Sequence, residues 1–284
     1  MGRIKQPIGD RWTIALGIIG IVVLAGAYEI VSYRQHTANP KDTTIPNLSQ
    51  LLEGFRQICE PKTNDLRPES DDMSSWGRIA SCWLYKDAFA TYGRLVKGLV
   101  WGSIISVIIG LLMGCFEGIG SFLLPPLAFL AKVPGTAMLA VFFVLVGTGE
   151  NMFIGMIGFG LLPTLTQAVY ASARYDVHDE EINKAYTLGA SNCEVIWNVV
   201  LKQIMPKVLE SIRLQIGPSV VYLIAAEMLV GQVGMGYQIR LQQRLLNMSV
   251  VYDYLLILGV SGLLMDQGML LLRRWLCPWY SRYK

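Results

Sequence analysis

Apolar residues in this chain gather in long runs. The first is Trp12 to Ser32, and the second runs from about Leu95 to Phe116 with Lys97 near its start. The third extends from about Phe122 to Val146 and is interrupted by Pro125, Pro126 and Pro134. The fourth is Met152 to Ala171 with Pro163 inside it. The fifth is about Val208 to Val230, with Arg213 near its start and Pro218 within, and the sixth is Val251 to Leu272. A helix rises 1.5 Å per residue, so a hydrocarbon core of about 30 Å takes about 20 apolar residues. The pattern predicts an all-α membrane protein of six transmembrane helices. The first run follows basic residues, as a signal peptide would, but it exceeds the usual 7–15 apolar residues and no small-x-small site follows it. It therefore predicts a true span.

Composition agrees. Of 284 residues, 53% are hydrophobic and 16% charged, against roughly 25% charged in soluble domains. The mean hydropathy is +0.42. Disorder and a small disulfide scaffold are excluded. A net charge of +3 is too small to imply a nucleic-acid partner, so the lipid bilayer is the expected surroundings.

Charge at the ends predicts orientation. Arg3, Lys5 and Arg11 flank the first span, and Arg273, Arg274, Arg282 and Lys284 follow the sixth. Both termini are expected in the cytoplasm, which an even number of spans satisfies. This divides the chain into a cytoplasmic N-terminus with the first span (1–32), an outer segment (33–92), a five-span core (93–275) with an inner loop (174–207), and a cytoplasmic tail (276–284).

In the outer segment, Leu48, Leu51, Leu52, Phe55 and Ile58 recur at helical spacing after Pro46. They predict a short amphipathic helix packed on its own protein or docking an external partner. The following stretch, 60–75, is rich in Pro, Asp, Ser and Asn and predicts an exposed loop. It separates Cys59 from Cys82, which face an oxidising compartment if the chain is bacterial, so a disulfide between them is permitted. The remaining cysteines, Cys115, Cys193 and Cys277, have no metal-ligand spacing. Two histidines and the lack of HExxH, CxxC, GxSxG and P-loop motifs argue against catalysis and against ATP binding in this chain.

Few charges lie in the spans. Glu29, Glu227 and Asp266 are functional candidates by default, although each lies near a boundary. An ion-coupled secondary carrier is the alternative, but it would usually place acids nearer mid-membrane and within internal repeats.

The inner loop has a pattern of its own. Acidic Asp179, Glu180 and Glu181 precede a helix, as the helix dipole favours. Gly189 permits a turn with positive φ, and Val195, Ile196, Val199 and Val200 form an apolar face on a second helix. The two helices form a knob that either packs under the chain's own spans or inserts into a cytoplasmic partner.

This loop resembles the EAA motif of bacterial ABC-importer permeases, which reads Glu-Ala-Ala, three residues, Gly, nine residues, Ile, one residue, Leu-Pro. Ala185, Gly189, Val199 and Leu201 fit that spacing, while Asn183, Lys184 and Lys202 depart from it. Pro206 is similar to a second proline common in the subfamily. The stretches 126–150, Leu188-Gly189-Ala190-Ser191, 224–228 and Gly234-Met235-Gly236-Tyr237 are similar to nitrate/sulfonate/taurine-type permeases, bicarbonate importers among them. The similarity covers about Asp87 to Trp275.

The resemblance implies a type I ABC-importer permease fold in the bacterial inner membrane. It implies a second permease chain, two cytoplasmic ATPases carrying ATP and Mg, and a periplasmic or lipid-anchored solute-binding protein. The ATPases would dock on Ala185, Leu188, Gly189, Ala190 and Ser191, with Val195, Ile196 and Val199 seating the knob. Lys132 and Arg213 are the basic groups that would meet a small anion. The pattern also resembles permeases linked to urea or guanidine carboxylases, and Glu227 would either attract a cation such as guanidinium or brace the outer gate through backbone groups.

Overall fold

The computed structural model describes residues 10–38, 44–59 and 82–280. Arg3, Lys5, Arg282, Lys284 and the predicted 60–75 loop lie outside the described residues. Every regular element described is helical. In chain order these are α1 (Asp10–Ala38), α2 (Leu48–Cys59), α3 (Trp83–Cys115), α4 (Glu117–Leu130), a 3-10 turn (Gly135–Met138) and α5 (Leu139–Val146). They continue as α6 (Glu150–Tyr175), α7 (Asp179–Thr187), α8 (Asn192–Val230), α9 (Met235–Arg244) and α10 (Met248–Leu276).

Among the described residues five helices are long and apolar enough to span, and a bent pair raises the number to six. The bent pair is the predicted third run. Residues 117–130 and 135–146 meet at 84°, where Pro134 cannot donate a helical hydrogen bond and disfavours helix at the residue before it. The fifth run is longer than expected. α8 has 39 residues, reaching about 58 Å at 1.5 Å per residue. It is one continuous rod from the inner loop through the span, with a wider π turn over Val195–Val200.

Close approach of α3 to α6 builds the centre. α3 turns Gly98, Gly102, Gly110 and Gly114 toward α6. A Cβ at Gly98 would fall 2.7 Å from that of Ile157, one at Gly110 2.6 Å from that of Val169, and one at Gly114 2.5 Å from that of Ala173. Lipid tails are as apolar as side chains, so helix association in a bilayer depends on van der Waals fit, and small residues in four-residue steps supply it. Leu95, Met156, Ile157, Leu161, Leu165 and Val169 are buried along this seam.

A second apolar cluster lies at the end of the bundle away from the α7 turn. There Ile58 of α2 packs with Met235, Ile239, Val250, Val251 and Tyr254. The amphipathic helix therefore packs on its own protein. The first span is attached more loosely. Its apolar side chains are exposed along most of its length. It is anchored by Tyr28 Oη donating to Pro46 O (2.6 Å), by Ser32 Oγ to the same carbonyl (3.3 Å), and by a Tyr28–Tyr252 ring contact.

Candidate functional site

α8 carries a different device at each end. At its C-terminal end a buried polar brace holds the following turn. Glu227 has no exposed surface and Arg94 is 7% exposed. Arg94 Nη1 donates to Glu227 Oε1 (2.8 Å) and to Val233 O (2.8 Å), while its Nε and Nη2 reach Glu150 at 3.0 and 2.5 Å. The guanidinium also lies 4.4 Å from the Phe153 ring centre, a favourable cation–π position. Thr91 Oγ1 donates to Glu227 Oε2 (2.9 Å) and accepts the Met235 N–H (2.9 Å). The Gly236 N–H donates to Glu227 Oε2 (3.0 Å). Asp87 accepts the Gly234 N–H and the Tyr254 hydroxyl, both at 3.1 Å.

The backbone fits around this carboxylate. Gly234 has φ +128°, and a Cβ there would fall 2.6 Å from the Glu227 carboxylate. Arg240 Nη1 donates to Leu229 O (2.7 Å) and covers a carbonyl that the end of α8 leaves open. The brace thus joins α3, α6, α8 and α9. A buried charge persists when it is paired and hydrogen-bonded, and Glu227 is both. Its carboxylate accepts from Arg94, Thr91 and the Gly236 N–H and leaves no exposed surface.

At the N-terminal end of α8 the chain makes an exposed turn. Gly189 has φ +87°. Its N–H donates to Tyr186 O (2.9 Å) and that of Ala190 to Ala185 O (3.1 Å), closing α7 in the manner of a Schellman motif. Ser191 then opens α8 with a capping box. Glu194 Oε2 accepts the Ser191 N–H (2.8 Å), and Ser191 Oγ accepts the Glu194 N–H (3.4 Å). Leu188, at the tip, is 88% exposed, and Trp197 is 61% exposed.

The apolar face of the knob turns inward. Val195 is 3% exposed and Val200 is buried, both in the main core, with Ala185, Ala190 and Val199 packed against it and Ile196 half-buried. Val195, Ile196 and Val199 therefore seat the knob on its own spans. The exposed surface of the turn centres on Leu188. A cleft of about 210 Å³ separates the knob from the ends of α3 and α6, lined among others by Cys115, Arg174, Asp179, Tyr186 and Asn192. Lys207 Nζ, 2.6 Å from Asp176 Oδ1, ties α8 to the chain just beyond α6.

Between the two ends a charge chain fastens α8 to α10. Arg213 Nε contacts Asp266 Oδ1 (2.6 Å), Arg213 Nη1 contacts Glu210 Oε1 (2.9 Å), and Arg273 Nη1 contacts Glu210 Oε2 (2.5 Å). Arg213 is thus engaged by acids of the same protein. Lys132 is exposed at the bend after α4. Lys132, Arg213 and Glu227 do not converge on one point: Arg213 and Glu227 alone lie about 21 Å apart along α8. Arg94 is not marked by the sequence as a site residue, because its partners Glu150 and Glu227 are 56 and 133 residues away. The one available signal was an arginine at the edge of an apolar run.

Residues 96–278 match the family described as binding-protein-dependent transport system inner membrane component. The chain belongs to this family. It is a multi-pass membrane permease component of the ABC-importer kind, and membership favours that reading over an ion-coupled carrier. It is 25% identical over 277 residues to the taurine transport system permease protein TauC of Escherichia coli (strain K12), covering 98% of this chain and 93% of that one. It is 24% identical to the nitrate import permease protein NrtB of Synechocystis sp., over 67% of this chain and 69% of NrtB. An inward-facing structure of the MetNI methionine ABC transporter superposes with TM-score 0.59 at 16% identity, covering 72% of this chain and 99% of that one. That likeness establishes the fold.

Proposed function

We propose that this chain is the membrane subunit of an ATP-driven importer for a small polar or ionic solute of the sulfonate, taurine, nitrate or bicarbonate kind. Two copies of it form one pathway in the bacterial inner membrane. A periplasmic or lipid-anchored solute-binding protein delivers the cargo. Two cytoplasmic ATPases, which carry the ATP and Mg, receive the turn around Leu188 and Gly189. The basic flanks Arg273 and Arg274 favour a cytoplasmic knob and cytoplasmic termini.

One observation carries the coupling: a single unbroken helix joins the exposed turn to the buried brace. A push on Leu188 enters α8 directly, because its capping box and its core-packed Val195 leave little slack. The Arg213–Asp266 and Arg273–Glu210 contacts carry α10 along. At the far end α8 moves the brace, and with it α3 and α6, as a rigid-body change. The cargo class rests on the nearly full-length similarity to a taurine permease.

The test is purification of the chain with its ATPase and binding protein, followed by reconstitution in lipid vesicles. Taurine, an alkanesulfonate or nitrate is expected to raise ATP hydrolysis and to be taken up. Failure of any ATPase to co-purify would overturn the reading.

A further inference from the structure

We infer that Cys59 and Cys82 form a disulfide that staples the amphipathic helix α2 to the start of α3. Cys59 ends α2 and Cys82 is the residue before α3. In the structure Cys82 Sγ donates to Cys59 O at 2.8 Å, and no S–S bond joins the two. Cys59 is exposed and Cys82 half-buried, so both are open to an oxidant. Burial, and then the neighbouring Cys82 thiol, push the Cys59 thiol above its ordinary pKa.

The surroundings hold the two chain segments together independently of that one contact. α2 lies against the start of α10, where a Cβ at Gly54 would fall 2.4 Å from Asp253 Oδ2. Asn247 Nδ2 donates to Gln57 Oε1 (3.1 Å). Ile58, next to Cys59, is buried in the cluster around Tyr254, and Leu84 and Ala88 of α3 pack on that same cluster. The two chain segments thus reach the cysteines from one shared apolar core. A bond there would fix α2 to the helix that carries Asp87, Thr91 and Arg94. The staple would act on the brace, not on the knob.

The chemistry is thiol–disulfide exchange with a protein disulfide oxidant in the outer compartment. One cysteine thiolate attacks a sulfur of the oxidant's disulfide to give a mixed disulfide. The second thiolate then displaces the oxidant. The two thiol protons and two electrons pass to the oxidant, whose disulfide is broken and which leaves as a dithiol. The inference rests on the proposed orientation, which puts this end of the bundle outside.

The full-length protein, taken from membranes of the cells that make it, is denatured in excess iodoacetamide without reductant, digested and weighed. The expected result is a joined Cys59–Cys82 peptide pair that separates on reduction, with Cys115, Cys193 and Cys277 alkylated. In Cys59→Ser, Cys82 is expected to become fully alkylated. Alkylation of Cys59 and Cys82 in the unreduced wild type would overturn the inference, as would a Cys82 still blocked in Cys59→Ser. Orientation is read separately: a membrane-impermeant maleimide should label Cys193 only after the membrane is opened. Labelling of Cys193 in intact cells would overturn the orientation, and the mass of the pair would still decide the bond.

Discussion

The two ends of α8 belong to one helix and are built on opposite principles. At the brace, Glu227 is sealed from solvent and accepts from Thr91, Arg94 and the Gly236 N–H. At the knob, Leu188 stands clear of the molecule while the apolar residues on either side fold back onto the core. The brace therefore concentrates stability, and the tip contributes almost none. A buried charge network resists change because losing one member strands the others. An exposed leucine can be replaced without disturbing the fold. The proposed function assigns the brace to holding the bundle and the knob to communication.

That division can be broken from the brace side first. Arg94→Ala would leave the Glu227 carboxylate buried without its cation and should cost about 3–5 kcal/mol, seen as a lowered unfolding midpoint in detergent. A midpoint within experimental scatter of the wild type would show that the brace does not hold the bundle. Gly234→Ala places a side chain at φ +128° against the Glu227 carboxylate and should cost roughly 1–3 kcal/mol in the same assay. Thr91→Val removes the acceptor of the Met235 N–H and a donor to Glu227, a loss of roughly 1–3 kcal/mol. Full retention of stability in Thr91→Val would mean that water replaces the hydroxyl.

From the knob side the stability effects shrink and the functional ones grow. Gly189→Arg carries a strain of about 1–2 kcal/mol at φ +87°, too small to block insertion, and should abolish substrate-stimulated ATP hydrolysis. Normal stimulation in that variant would count against a docking role for the turn.

The spans were legible in the sequence because a bilayer imposes a length on apolar runs, and Trp12, Phe122 or Val251 mark their edges without help from tertiary structure. The bend after α4 was legible only in part. Pro125, Pro126 and Pro134 were visible, but only Pro134 coincides with the 84° break, and the other two sit within α4. The knob's location followed from Gly189 and its neighbours. The direction of its apolar face did not, because Val195 and Val199 have the same spacing whether they meet a partner or their own core. The brace was the least legible. Glu227 stood out as an acid in an apolar run, but Arg94 lay just outside one, and nothing local pairs residues 133 positions apart. The glycines of α3 were likewise visible only as composition until α6 was seen against them.

Leu188→Asp tests the division most directly, with unfolding midpoint and substrate-stimulated ATP hydrolysis measured on the same reconstituted complex. An unchanged midpoint is expected, within about 0.5 kcal/mol as for any exposed site, together with loss of the stimulation. A variant that keeps full stimulation, or that unfolds as readily as Arg94→Ala, would contradict it.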